Sequence, residues 1–79
     1  MPLFRYDVTY AGETRATELR KSNPQGWLLD AVRATFPEVA ARRGGEVLRL
    51  RLATAEGVGR AWSAGLDGDL LVRVVQLRG

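Results

Sequence analysis

The chain of 79 residues contains no cysteine and no histidine. The first absence removes disulfides, thiolate nucleophiles and cysteine-based metal sites. The second removes the commonest general base and the commonest transition-metal ligand. Lysine occurs once, at Lys21, so the positive charge is carried almost wholly by arginine. Proline occurs three times and glycine nine times, and no apolar run approaches the ~18 residues of a membrane span. Met1–Tyr10 alternates polar and apolar residues, which is unlike the continuous apolar stretch of a signal peptide. These absences lead to the expectation of a cytoplasmic protein without metal or cofactor.

What is present suits one small domain over residues 1–79, with 46% hydrophobic and 27% charged residues. A chain this short buries roughly 60% of its unfolded surface, which leaves little room for a deep catalytic pocket. The formal net charge of +3 raises nucleic acid as a partner, although the excess is modest.

Phe4, Tyr6, Val8 and Tyr10 alternate with Arg5, Asp7 and Thr9, which predicts a half-buried strand over Leu3–Tyr10. Ala11-Gly12-Glu13 then supplies a turn, and Thr14–Lys21 reads as a charged edge strand. A helix starts at Ser22-Asn23-Pro24-Gln25, with Asn23 as the cap and Pro24 at the first helical position, or with Ser22 and Gln25 as a capping box. Leu28, Ala31, Val32, Thr35 and Phe36 form its core-facing stripe, and Trp27 packs over its start. Pro37 interrupts the pattern, Glu38–Arg43 adds a turn and Gly44-Gly45 ends it.

Glu46–Thr54 reads as a strand with Leu48, Leu50 and Leu52 inward and Val47, Arg49 and Arg51 outward. Ala55-Glu56-Gly57 forms a turn, Val58–Ala64 a short irregular strand anchored by Trp62, and Asp67-Gly68 a further turn. Leu70–Leu77 is the last strand. It is apolar enough on both faces to sit centrally beside the first strand, with Leu70, Val72 and Val74 inward and Leu71, Arg73 and Val75 outward. The expected order is ββαβ(β)β, an α+β fold with one helix packed on a single sheet.

Three features together resemble the β-grasp fold of ubiquitin-like proteins and small sulfur carriers. They are the hairpin beginning almost at Met1, the Leu66-Asp67-Gly68-Asp69 approach to the last strand, and the ending Leu70–Gly79 with its Leu-Arg-Gly tail. The resemblance implies a mixed sheet and a bacterial ubiquitin-like modifier or sulfur carrier. Gly79 would be adenylated by an activating enzyme, then passed to a conjugating enzyme and a target protein or converted to a thiocarboxylate, and a protease could act on the product. Leu77 and Arg78 would be grip points on a short tail over residues 76–79. The activation chemistry would belong to those partners, so the chain itself is expected to be no enzyme. The departures are one terminal glycine instead of two and a short tail.

The residues leave two other readings open. Val47, Arg49, Arg51, Leu71, Arg73 and Val75 would together form a partner-binding face, which also suits a non-conjugated adaptor or protein-interaction module. The same arginines with Arg42, Arg43 and Arg60 would serve a basic nucleic-acid binder. That reading is the weaker, because Phe4, Tyr6 and Phe36 read as buried and leave only Trp27, Trp62 or Tyr10 for stacking. Asp67 and Asp69 flank a turn glycine and have no further metal ligands nearby in the sequence.

Overall fold

The computed structural model describes residues 1–54, 60–66 and 68–79. Strands β1 (Leu3–Tyr10) and β2 (Glu13–Arg20) form a hairpin. A 3-10 turn over Gln25–Trp27 leads into helices α1 (Leu28–Thr35) and α2 (Pro37–Arg49). Strands β3 (Ala53–Thr54), β4 (Ala61–Leu66) and β5 (Leu70–Arg78) complete one five-stranded sheet in the order β2-β1-β5-β4-β3. The turn expected at residues 55–57, the start of the strand expected at Val58, and Asp67 lie outside the described residues.

The fold is α+β with an antiparallel sheet and two helices. The charged second strand lies at the edge and the apolar last strand at the centre, next to β1. Two expectations are corrected. The sheet is not mixed, because every strand pair, including β1 with β5, is antiparallel. The chain leaves the helices at the far edge and returns as a β3–β4–β5 meander, so β5 reaches β1 running against it. Nor is there a single helix followed by a strand over Glu46–Thr54. Helix α2 occupies Pro37–Arg49, and only Ala53–Thr54 is extended.

Local chemistry explains the second correction. Pro37 opens α2, where the missing N–H is harmless, and does not merely interrupt an earlier helix. Phe36, Val39, Ala40, Val47 and Leu50 follow a helical spacing and are all buried. Gly44 and Gly45 lie inside the helix, beside a kink where Arg43 leaves helical geometry at φ −123 and ψ 22. The Arg43 guanidinium spans the kink by donating to Glu46 at 2.9 Å and to Asp69 at 3.0 Å, which ties α2 to the turn before β5.

Both helices pack on one face of the sheet. Phe4, Tyr6 and Val8 of β1 and Leu70, Val72 and Val74 of β5 meet Leu28, Ala31, Val32 and Phe36 of α1 and its end. Val39, Ala40 and Val47 of α2 close the core. Gln25 joins the helical layer to the returning chain: its amide donates to the Leu50 carbonyl at 2.8 Å and accepts from the Leu52 N–H at 2.6 Å. Trp27, at the end of the 3-10 turn, is 38% exposed with the Lys21 ammonium 4.2 Å from its ring centroid.

Candidate interaction surface

Side chains alternate across a strand, so the helix-covered face and the opposite face can be read directly from the register. Tyr6 stands across from Thr17 and Val74, and Val8 from Arg15 and Val72, which places these residues under the helices. The opposite face carries Arg5, Asp7 and Thr9 of β1, Leu71, Arg73 and Val75 of β5, Ala61, Ser63 and Gly65 of β4, and Ala53 of β3. No element packs on it among the described residues.

The face is divided. On β1 and β2 it is polar and charged: Arg5 bonds Asp7 at 3.1 Å and lies across from Glu18. On β5 and β4 Leu71, Val75, Ala61 and Gly65 make it mainly apolar, with Val75 at 40% exposure. Arg73 interrupts the apolar strip, directly across from Asp7 on one side and Ser63 on the other.

Leu71, Arg73 and Val75 therefore share one face, as expected. Val47, Arg49 and Arg51 do not join them. Val47 is fully buried in the core, on a helix instead of a strand. Arg49 is exposed on the last turn of α2. Arg51 follows the helix and donates to the Leu48 carbonyl at 3.2 Å and the Leu50 carbonyl at 2.9 Å, satisfying the orphan acceptors of a helix end. Leu48, expected inward, is 61% exposed beside a groove of about 330 Å³ that Gln25, Leu28, Leu29 and Arg51 also line. The small-residue row Ala61, Ser63 and Gly65 went unpredicted. Its signal was the run of small residues at every second position, broken on the other face by Trp62 and Leu66.

At the end of β5, Arg78 pairs with Leu3, and a bulge lies between Leu3/Phe4 and their partners. Leu77 and Arg78 are thus part of the sheet and not of a free tail, and Gly79 follows directly. The arginines of the nucleic-acid reading are dispersed over α2 and the chain beyond it, and Arg43 is engaged with Glu46 and Asp69. The aromatic rings are engaged elsewhere: Trp62 edges onto Phe4 with centroids 5.9 Å apart, and Tyr10 onto Phe36 at 5.8 Å. Among the described residues no group of three or more acidic side chains could hold a metal ion, and no helix is long and apolar enough to cross a membrane.

The Tyr6 phenol is strongly perturbed. Burial, and secondarily the charge of Asp30, pushes the Tyr6 phenol up to about 12. Its hydroxyl donates to the Pro24 carbonyl at 3.0 Å, so it anchors the chain entering the helices. Comparison with known proteins finds no matching family model, no matching curated protein and no matching solved structure.

Proposed function

We propose that this chain is a non-catalytic protein-interaction module that binds through the open face of its sheet, centred on Leu71, Arg73 and Val75. The observation that carries this reading is the uncovered apolar strip on β5, the strand at the centre of the sheet. Apolar residues in the middle of an uncovered sheet face gain nothing from the chain's own core, and such patches mark interaction sites. The mixed polar rim on β1 and β2 matches the usual anatomy of a protein interface.

A modifier or sulfur-carrier role through Gly79 draws less support. It asks for a tail that leaves the last strand and for β-grasp kinship with a mixed sheet. The pairing of Arg78 with Leu3 and the antiparallel β1–β5 pair favour neither. An adaptor needs neither feature.

Site-specific photo-crosslinking tests the reading. A benzophenone side chain placed at Val75 should give discrete protein adducts in cells, and one placed at Arg33 on α1 should not. Adducts from Arg33 alone would overturn the assignment of the face. A Gly79-linked adenylate or conjugate, read by intact mass with an activating enzyme and ATP, would restore the carrier reading.

A further inference from the structure

We propose that the partner for this face is a second copy of the chain, seated with β5 of one copy over β4 of the other. The proposal rests on the interaction-module reading above and adds the identity and register of the partner. On the open face, Leu71, Arg73 and Val75 of β5 form a ridge. Beside them Gly65, Ser63 and Ala61 of β4 form a furrow, because each ridge residue is register-paired with a small one: Leu71 with Gly65, Arg73 with Ser63, and Val75 with Ala61. The surface therefore holds both halves of its own complement.

Gly65 supplies an independent observation. Its backbone is not in the left-handed region, and an added Cβ would meet only the Leu70 carbonyl at 3.6 Å and a Leu71 methyl at 3.9 Å, both ordinary contacts. The fold itself therefore does not require glycine here, although glycine in a strand costs about 0.5–1 kcal/mol relative to alanine. A strand glycine of this kind marks close approach by another chain.

The symmetry follows from the register. Two sheets packed face to face require a two-fold axis lying between them. An axis along the strands, midway between β4 and β5, carries each ridge residue onto the furrow residue it is paired with. Leu71 of one copy then sits over Gly65 of the other, Val75 over Ala61, and the Arg73 guanidinium over the Ser63 hydroxyl, which can accept its N–H. Nearly aligned strands are a preferred arrangement for stacked sheets. Within each copy Arg5 stands across from Glu18 and Arg73 from Asp7, so the charge of the face is nearly balanced. A nearly neutral face of this kind suits a copy of itself better than a polyanion. At strand spacing the face spans roughly 500 Å², below the ~800 Å² per partner of a standard interface, so the dimer should be weak and concentration-dependent.

Sedimentation equilibrium from about 1 μM to about 1 mM should show the mass rising from one chain towards two. Gly65→Leu fills the furrow and Leu71→Lys breaks the ridge, so each should weaken self-association at least about tenfold. Because the chain has no cysteine, Val75→Cys mixed with Ala61→Cys should be joined across copies by a short bis-maleimide. A monomer at every concentration overturns the proposal, as does a dimer that both substitutions leave intact. If Gly65→Leu does not fold, Leu71→Lys still decides. A monomer whose Val75 crosslinks to a different protein, with Leu71→Lys abolishing the adduct, would sink self-pairing and leave the interaction module standing. No adduct at all and no dimer would sink both.

Discussion

Strand β5 carries two different surfaces on one backbone. Leu70, Val72 and Val74 are at most 1% exposed beneath the helices. Leu71, Arg73 and Val75 alternate with them on the open side. The buried set accounts for the fold, since these side chains fill a core shared with Tyr6, Val32 and Val39. The open set keeps two apolar residues of three, yet it contributes to no core. The difference shows that hydrophobic content alone does not report folding. The same residue types one position apart pack under the helices on one side and stay outside the core on the other.

The largest expected effect breaks the covered side. Val72→Asp buries a carboxylate with no partner, and a change of that kind costs more than about 4 kcal/mol. For a small domain this should abolish the cooperative thermal transition. Val75→Asp makes the same chemical change on the open side and should alter stability by no more than about 0.5 kcal/mol. Circular dichroism melts of both variants check the contrast. Equal destabilisation would mean that the open side is also part of the folding core.

This contrast was legible in the sequence, and the reason is local. Strict alternation assigns the faces of β1 and β5 whatever strand they pair with, so Phe4, Tyr6, Val8, Leu70, Val72 and Val74 could be placed inside without knowing the topology. The stripe Leu28, Ala31, Val32, Thr35 and Phe36 was equally plain, and all five are buried. Strand direction was not legible, because alternation is the same in parallel and antiparallel sheets. The segment 46–54 was misread because Leu48, Leu50 and Leu52 alternate with arginine while Gly44-Gly45 imitates a helix stop. The competing spacing of Val39, Ala40, Val47 and Leu50 decided the outcome. The helix takes Val47, Arg49 and Arg51 off the sheet and so removes half of the expected binding face. The furrow was hidden for another reason: Gly65 suggested an irregular strand, whereas β4 is paired from Ala61 through Leu66.

A middle-sized effect sharpens the covered side by pH. The Tyr6 phenol is pushed up to about 12 in the folded protein, against about 10 in an unfolded chain. The folded state therefore holds the proton more tightly. Tyr6's contribution is complete below about pH 10 and is lost as pH rises through about 12, so stability should fall across that window. Tyr6→Phe should cost about 1 kcal/mol at neutral pH through loss of the bond to the Pro24 carbonyl. It should also flatten the alkaline slope that this residue causes. Urea denaturation of both proteins at neutral pH and across the alkaline window separates the two effects. An unchanged slope in Tyr6→Phe would mean that other groups drive the alkaline loss.

The smallest effect tests whether the two sides can be tuned independently. Tyr10 pairs with Glu13, so Ala11 and Gly12 alone form the β1–β2 turn, with φ of 51 and 82. Two successive positive φ values match the tight hairpin turn that favours Asn-Gly. Alanine is poorly suited to this region because its Cβ crowds the following carbonyl, whereas asparagine tolerates it. Ala11→Asn should therefore stabilise the fold by about 0.5–1 kcal/mol, or a few degrees in Tm for a domain this size. The turn lies at the end of the hairpin that includes the edge strand β2, away from the Leu71–Gly65 register. The substitution should raise the melting temperature without changing self-association. A shift in the dimer equilibrium alongside the melt would show that the open face is coupled to the hairpin and is not a separate surface of the same sheet.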